Sequence, residues 1–267
     1  MQPTQSTQSM QLDDDGAPVG RLLTRREALA LLGTTAGGAI LAACLPGATA
    51  TPGTGGSSAS ATASATGIAV AVPSCIVRPE LTEGPYFVDE KLNRSDIRAD
   101  SATGEQRPGV PFALAFAVSR LDGSTCTAFE GALVDVWHCD ALGEYSDVQA
   151  NVGQDWLRGY QVTDASGAAS FTTIYPGWYQ GRAVHLHFKI RTDAGADAGL
   201  EFTSQLFLDE AVTAAVYARD PYASKGPADV PNGSDGIYNQ GGDQLLLTPG
   251  AQGDGYTATL EIGIQVA

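Results

Sequence analysis

Hydrophobic residues recur at every second position along several short stretches of this chain. The clearest case is residues 258–266, where Ala, Leu, Ile, Ile and Val alternate with Thr, Glu, Gly and Gln. Residues 112–118 repeat the pattern with Phe, Leu, Phe and Val separated by alanines. Since successive side chains of a β-strand point to opposite faces, this alternation predicts strands with one face in a core.

Further short stretches carry the same alternation and are separated by turn-forming residues. They are residues 133–137, 160–162, 169–174 and 202–208, with turn signals at 122–123, 140–143 and 164–167. Only residues 209–219 have a helical pattern, for which Asp209 is the expected N-cap. Many short strands and almost no helix predict an all-β fold, an antiparallel β-sandwich with one short helix.

The N-terminal region does not share this pattern. Residues 1–43 are predicted to be an export signal, because the twin-arginine pair Arg25 and Arg26 precedes an uncharged run rich in Gly and Ala. That run is too short and too glycine-rich for a good membrane span. It ends in Leu-Ala-Ala followed by Cys44, which resembles the lipobox of bacterial lipoproteins and predicts lipidation of Cys44. The alternative is cleavage near residues 48–50, which gives a soluble secreted protein.

Residues 44–73 consist mostly of Ala, Thr, Gly and Ser and carry no charge. Such a segment buries too little apolar surface to order itself, so a flexible tether is expected. Residues 74–267 then form one domain, which is long enough for a sizeable core. Signal and tether together predict export, with the protein at the cell surface, in the periplasm or secreted. Its only membrane contact is expected to be a lipid anchor at Cys44.

Charge and cysteine content limit the partners and the covalent links of the domain. Thirty Asp and Glu residues against 15 Lys and Arg give a net charge of −15, without a basic run. This argues against nucleic acids and anionic membrane surfaces as partners. Cys126 and Cys139 are expected at opposite ends of one predicted strand, which disfavours a disulfide between them. Cys75 is therefore expected to pair with one of the two, and the sequence does not choose.

Two histidines, His185 and His187, stand two residues apart in a predicted strand. Residues i and i+2 of a strand share a face and lie about 6.6 Å apart, so both imidazoles are able to reach one metal ion. Tyr179 and Arg182 lie just upstream. The alternative is that this polar face is simply the solvent-exposed side of a half-buried strand.

Three segments of the chain together resemble the intradiol ring-cleavage dioxygenases, the family of catechol and protocatechuate dioxygenases, and in particular their exported, single-chain subgroup. The segments are LTEGPYF at residues 81–87, VDVWHCD at 134–140 with GEYS at 143–146, and PGWY at 176–179 with HLHF at 185–188. The resemblance covers residues 75–208. It implies a β-sandwich enzyme that uses O₂ to cleave an aromatic diol between its two hydroxylated carbons, giving a muconate-type dicarboxylate.

The resemblance also implies a metal site with one Fe(3+) per chain. The four ligands that it implies are Tyr145, Tyr179, His185 and His187. Catalytic roles are implied for Arg182 and Gln205, and for Tyr179 as the phenolate that leaves the metal when substrate binds. The substrate is expected to be a catechol of unspecified type, and the sequence leaves open whether the chain forms a homo-oligomer.

Five other residues compete for roles in this site or border it. Tyr175 is close to Tyr179 but lacks the Pro-Gly-x-Tyr context, and His138 is expected to be structural or to support a ligand, since the family has no metal ligand there. Tyr86 is expected to border the pocket. Asp135 or Asp140 with the two histidines would instead make an Fe(II) or zinc site. A third hypothesis is a tethered binding module without catalysis.

Overall fold

Two five-stranded β-sheets account for most of the described chain. The computed structural model describes residues 75–192 and 199–266. In chain order the strands are β1 (Pro111–Asp122), β2 (Thr125–Ala128), β3 (Leu133–Trp137), β4 (Arg158–Val162), β5 (Ala168–Ile174), β6 (His185–Arg191), β7 (Glu201–Leu208), β8 (Leu246–Leu247), β9 (Gly250–Gln252) and β10 (Gly255–Gln265).

The first sheet is built around β1. One edge of β1 pairs in parallel with β10 over residues 112–121, and its other edge pairs antiparallel with β5 and β2. Strand β9 pairs antiparallel with β10. Along β5 and much of β1, alternate residues are buried and the residues between them are exposed or half-buried, as the sequence pattern predicts.

The second sheet has the order β4-β3-β6-β7-β8. Its pairs are antiparallel except for β7 and β8, which are parallel. The prediction of a wholly antiparallel sandwich is therefore wrong at two pairs, β1–β10 and β7–β8. The physical reason is that alternation reports which face of a strand is buried, whereas strand direction depends on where a distant segment returns to the sheet.

The two sheets pack face to face around one apolar core, so the predicted β-sandwich architecture is confirmed. The rings of Phe116 in β1 and Phe188 in β6 lie 5.5 Å apart between centroids and join the sheets. Alternate residues of β10, namely Leu260, Ile262 and Ile264, are buried in the same core.

One α-helix, α1 (Glu210–Tyr217), occurs within residues 75–192 and 199–266. It begins where the sequence predicts, because the Asp209 carboxylate accepts hydrogen bonds from the amides of Ala211 and Val212. No helix in the described ranges is long and apolar enough to cross a membrane. The proposed signal at 1–43, the tether at 44–73 and the lipidation site Cys44 lie outside the described residues.

A disulfide joins Cys75 to Cys126, with their Cα atoms 5.9 Å apart, and Cys139 is a buried free thiol. The structure therefore chooses between the two partners that the sequence left open. Cys126 lies in β2 and Cys139 just after β3, in different sheets, so the expectation that one strand separates them is wrong. Residues 129–132 are not part of a strand and connect β2 to β3. No strong turn signal in the sequence predicts this connection.

Residues 79–89, which we call the strap, run along the second sheet on the side away from the core. The amide of Leu81 donates to the carbonyl of Thr203 at 3.1 Å. Lys189 forms an ion pair with Glu83 at 2.5 Å, and Arg191 forms one with Asp89 at 3.1 Å. The strap helps to bury the second face of β6, so all seven residues of that strand are buried.

Candidate active site

The two histidines of β6 converge on one point. His185 and His187 are 2 % and 1 % exposed, and their Nε2 atoms are 3.1 Å apart. They do not form a solvent-exposed face, so that alternative is wrong. Burial, and secondarily Arg182, lowers the pKa of His185 to about 3. Burial, and to a lesser extent electrostatic repulsion from His185, holds the pKa of His187 well below its usual range. Both rings are therefore neutral, which is the form that binds metals.

The proton of His185 is directed away from this point. Its Nδ1 donates to the carbonyl of Ala183 at 2.7 Å, which leaves a lone pair on Nε2. The hydroxyl of Tyr179 lies 3.1 Å from the same Nε2. The Nδ1 of His187 is buried without a hydrogen-bond partner. If the proton of His187 is on Nδ1, the Nε2 lone pairs of both histidines face each other at 3.1 Å, and a cation bound by both would relieve their repulsion.

A second tyrosine completes the group. The ring of Tyr145 lies 5.8 Å from that of Tyr179 and 6.2 Å from that of His187. Its hydroxyl is buried without a hydrogen-bond partner among the described residues. Burial, followed by the mutual repulsion of the two tyrosines, raises the pKa of Tyr145 well above its usual range. Burial also raises the pKa of Tyr179.

The donor set therefore fits a hard, highly charged cation. Two phenols whose pKa values are raised by burial ionise at neutral pH only if a strong positive charge lies beside them. Two neutral imidazoles supply lone pairs to the same point. Tyr145, Tyr179, His185 and His187, which the sequence implied as ligands, are thus brought together.

Two tight turns carry the tyrosines. The Asp140 carboxylate accepts hydrogen bonds from the amides of Leu142 and Glu144, and so forms the turn that precedes Tyr145. Gly143 in this turn has a positive φ of 85°, and a Cβ there would collide with the carbonyl of Trp178. Only glycine allows the turn before Tyr145 to pack against the turn that carries Tyr179.

The strap contributes a close contact from the other side. Gly84 also has a positive φ, of 73°, and a Cβ at this position would lie 3.1 Å from Cε1 of His187. The Trp137 ring, paired with His187 across β3 and β6, stacks on the imidazole at 5.0 Å. The imidazole is therefore held between the strap backbone and an indole.

Arg182 lies beside this group and is held by two partners. Its Nε donates to Asp235 at 2.8 Å, and its Nη2 donates to the side-chain carbonyl of Gln205 at 2.6 Å. Gln205 in turn donates to the carbonyl of Thr82 in the strap at 2.9 Å. Arg182 and Gln205, singled out from the sequence, are thus hydrogen-bonded to each other at the site.

Sequence reasoning missed Asp235. Its carboxylate accepts from Arg182, from the amide of Ala183 at 2.8 Å and from the amides of Ile237 and Tyr238. Burial opposes its ionisation, but Arg182 and these amides outweigh burial and hold the pKa of Asp235 below its usual value. Asp235 lies within the long loop at 220–242, which is rich in Gly, Pro, Asn and Asp, and nothing in its local sequence distinguishes it.

The carboxylates proposed for an Fe(II) or zinc site are engaged elsewhere. Asp135 is ion-paired with Arg191 at 2.8 Å, and Asp140 is ion-paired with Arg107. Within the described ranges, no three His, Cys, Asp or Glu side chains form a cluster suited to a metal ion. The geometry therefore gives no support to a site made of the two histidines and a carboxylate.

A cleft of about 640 Å³ opens beside the two tyrosines. Tyr86 forms part of its wall, as the sequence predicts, and its ring lies 4.6 Å from that of Tyr145. The other lining residues are Gly143, Glu144, Tyr145, Val148, Gln149, Trp178, Tyr179, Gln180, Lys225 and Asp229. The cleft is large enough for a small aromatic molecule to reach both phenols.

Comparison with known proteins agrees with this geometry. A family model described as Dioxygenase matches residues 82–213. The chain is 30 % identical over 137 residues to chlorocatechol 1,2-dioxygenase from Pseudomonas sp. (strain P51), covering 45 % of this chain and 52 % of the relative. The intradiol ring-cleavage dioxygenase from Tetranychus urticae superposes with a TM-score of 0.62 at 28 % identity, covering 72 % of this chain and 95 % of the other. Residues 82–213 of this chain match the intradiol ring-cleavage dioxygenase family.

A third similar structure is that of another dioxygenase. It is the dioxygenase domain of a dioxygenase and carbohydrate-binding protein fusion from Streptomyces sp. SirexAA-E, with a TM-score of 0.50 at 26 % identity, covering 72 % of this chain and all of that one. The chain spans about half the length of the curated relatives it matches. The region matched to the family contains the strap from Thr82 onward and both tyrosines and histidines of the site.

Two residues that compete for roles in an intradiol site lie elsewhere. His138 donates from Nδ1 to the carbonyl of Cys139 at 2.7 Å and accepts at Nε2 from the Thr173 hydroxyl at 2.7 Å. It is structural, as expected, and links the second sheet to β5 of the first. Tyr175 is buried in the core, where its hydroxyl bonds to Thr213 at 2.7 Å. Tyr179 is therefore the tyrosine of this segment that faces the site.

Proposed function

We propose that the protein is an Fe(III)-dependent intradiol dioxygenase that cleaves a catechol-type diol between its two hydroxylated carbons, with both atoms of O₂ entering a muconate-type dicarboxylate product. One ferric ion per chain is held by Tyr145, Tyr179, His185 and His187. The observation that carries the proposal is that Tyr179 Oη and His187 Nε2 each lie 3.1 Å from His185 Nε2, beside the unpartnered hydroxyl of Tyr145.

Each ligand residue is prepared for this role by its surroundings. Bound ferric iron supplies the positive charge that ionises both phenols and makes a bound catecholate ring reactive toward O₂. His185 and His187 need no deprotonation, since burial already keeps both neutral. The phenolate oxygen of Tyr179 is positioned to accept a proton from an incoming diol, since Tyr179 lines the cleft.

Arg182 acts on the substrate rather than on the metal. The Asp235 carboxylate and the Gln205 amide oxygen fix its guanidinium, so little reorganisation is needed when negative charge develops nearby. Gln205 is tied through Thr82 to the strap, which excludes water from the side of the site opposite the core. Two pre-oriented polar groups in a buried setting favour a transition state more charged than the bound diol.

The substrate class follows from the relatives and the cleft. Relatives named as chlorocatechol 1,2-dioxygenases match this chain at 29–30 % identity. A single-ring catechol fits a cleft of about 640 Å³ lined by Tyr86 and Trp178. We therefore propose small catechols and O₂ as the substrates, in the breakdown of aromatic compounds.

Product analysis tests this proposal. The iron-loaded protein is incubated with catechol and O₂, and the product is identified by absorbance and mass. We expect a muconic dicarboxylate, together with a visible tyrosinate-to-iron absorption band in the resting protein. The His187→Ala variant, which lacks one proposed ligand, should lose iron, band and product together. A yellow muconic semialdehyde would contradict the proposal and favour an Fe(II) centre, whereas absence of both products with every catechol tried would favour a binding module.

We further propose that the precursor leaves the cytoplasm through the twin-arginine route and is lipidated at Cys44. Export of a folded protein suits a domain that acquires its iron before translocation. Cys44→Ser is expected to release the protein from membranes, as measured by fractionation of cells that express either form. Equal membrane association of the two forms would contradict lipidation and leave export standing.

A further inference from the structure

A buried guanidinium lies on the same face as the candidate metal centre, one strand away from it. Arg158 in β4 is 2 % exposed and pairs across the ladder with Trp137 in β3. Trp137 pairs with His187 in β6, which pairs with Gln205 in β7. Residues paired in this way share a face of the sheet, so Arg158, Trp137, His187 and Gln205 form one row.

The donors of Arg158 are directed to neutral oxygens on two separate segments. Its Nη1 donates to the carbonyl of Tyr86 in the strap at 2.6 Å. Its Nη2 donates to the carbonyl of Ser146 at 2.6 Å, and its Nε donates to the Ser146 hydroxyl at 2.9 Å. One rigid, planar side chain therefore connects the strap to the turn that follows Tyr145.

This arrangement differs from that of two other arginines on this side of the sheet, of which one is half-buried and one is buried. Arg182 and Arg191 are each ion-paired with a carboxylate. Arg158 takes part in none of the ion pairs within 4.0 Å that the described residues form. A buried cation without a carboxylate is costly, and burial lowers the pKa of Arg158. Its hydrogen bonds to the two segments compensate for part of this cost, and the nearby charges of Glu90 and Asp147 also favour the ionised guanidinium.

Each of the two segments carries a tyrosine of the site. Ser146 directly follows Tyr145, and Tyr86 packs its ring on that of Tyr145 at 4.6 Å. The Ser146 hydroxyl donates in turn to the carbonyl of Trp156 at 2.6 Å, and the Asn151 side chain donates to the carbonyl of Tyr145 at 2.9 Å. The main chain around Tyr145 is thus fixed on both sides, whereas its hydroxyl has no protein partner.

We propose that Arg158 is a positioning residue, which fixes Tyr145 and its ring neighbour Tyr86 so that the Tyr145 hydroxyl is presented to the metal. This role rests on the proposed function, since Tyr145 is one of the proposed ligands. A lysine keeps the charge but has a single nitrogen, so it cannot hold the Ser146 and Tyr86 carbonyls in the same fork geometry.

The test compares Arg158→Lys and the milder Ser146→Ala with the control Arg219→Lys. Arg219 also donates to a main-chain carbonyl, that of Asp254 at 2.9 Å, but it contacts neither Arg158 nor the strap. Three quantities are measured: thermal unfolding, the iron dissociation constant with the visible absorption band, and amide hydrogen exchange of the metal-free protein at residues 84–88 and 145–147.

We expect Arg158→Lys to weaken iron binding about 10- to 100-fold and to shift the visible band, because residues that orient metal ligands commonly have effects of this size. Exchange should accelerate at both segments together. Ser146→Ala should give a smaller change of the same kind, and Arg219→Lys should leave iron affinity and the visible band unchanged.

The proposal is overturned if Arg158→Lys and Ser146→Ala retain wild-type iron affinity and band. It is also overturned if exchange accelerates at only one of the two segments, since the connection between them is its basis. If wild-type protein binds no iron, the proposed function fails, but the exchange comparison on metal-free protein still decides whether Arg158 holds Tyr145 and Tyr86 together.

Discussion

Strands β5 and β6 have the same length and the same kind of alternating sequence, but their surroundings differ. In β5, which belongs to the first sheet, Ala168, Ser170 and Thr172 are exposed between buried residues. In β6, which belongs to the second sheet, every residue is buried, including the polar ones. The difference arises because the strap covers the second face of β6. Polar residues on that face need a protein partner or a ligand, whereas those on β5 are solvated by water.

The polar residues of β6 differ in how they are satisfied: those in its C-terminal half have protein partners, and those in its N-terminal half face the proposed ligand site. Lys189 and Arg191 find carboxylates, on the strap and on neighbouring strands. His185 and His187 find no carboxylate, and their nitrogens meet one another and the hydroxyl of Tyr179. The unpaired part of an otherwise paired buried face is the part that we propose binds iron.

The largest effect is expected where a buried pair is broken. Arg191→Ala leaves Asp135 and Asp89 without their shared partner and should lower the free energy of unfolding by about 3–5 kcal/mol. The control Arg120→Ala removes an exposed arginine of β1 in the first sheet and should change the free energy of unfolding by less than about 0.5 kcal/mol. Urea denaturation of the metal-free proteins measures both.

A double variant sharpens this result. Adding Asp135→Asn to Arg191→Ala removes one of the two carboxylates that lost their ion-pair partner, and should recover part of the lost stability. Equal destabilisation by Arg191→Ala and Arg120→Ala would mean that the two sheets do not differ in the way we describe.

The comparison of the sheets also marks how far the sequence could predict the molecule. Alternation predicts β5 and β10 correctly because each has one solvated face, and Asp209 correctly marks the start of α1. The same alternation in β6 is compatible with either a solvent-exposed or a buried polar face, since the burial of that face depends on the strap, which lies about 100 residues upstream. The four proposed ligands are implied by motif resemblance and not by periodicity. Asp235 carries no motif, and its role is visible only once the chain is folded.

A second large effect, now on catalysis, is expected at Arg182. Arg182→Ala should leave the iron content and visible band unchanged and lower kcat by about 10²–10³, since one well-placed donor to developing charge is commonly worth this much. The fold should tolerate the change because Asp235 keeps its three amide donors. Steady-state kinetics with catechol, alongside iron analysis, measures the effect. Unchanged turnover would make Arg182 structural, like Arg191.

A smaller, pH-dependent effect is expected at His138, which links the two sheets through Thr173. Burial lowers the pKa of His138 to about 4, below its unfolded value of 6.5. Between these two pH values the unfolded chain binds more protons than the folded one, so stability rises with pH and levels off above about 6.5. His138→Gln should flatten this rise by about 1.4 kcal/mol per pH unit. Unfolding measured from pH 4.5 to 7 checks it, and an unaltered slope would show that His138 is not kept neutral by the fold.

The smallest effect separates two carboxylates that share one lysine. Lys189 is buried, with 5 % of its side chain exposed, while its partners Glu83 and Glu201 are 39 % and 55 % exposed. Since each carboxylate is well solvated and the other one remains, Glu83→Gln and Glu201→Gln should each cost less than about 1 kcal/mol of unfolding free energy.

Iron binding should nevertheless tell the two variants apart. Glu83 precedes Gly84, whose backbone lies against His187, whereas Glu201 stands at the start of β7, away from the ligands. Glu83→Gln should therefore weaken iron binding by up to about tenfold, and Glu201→Gln should leave it unchanged. Equal iron affinity in both variants would mean that the ion pairs hold the strap on the sheet without adjusting the ring of His187, and that the hydrogen bonds from Gln205 to Thr82 and from Arg158 to Tyr86 maintain the contact at Gly84.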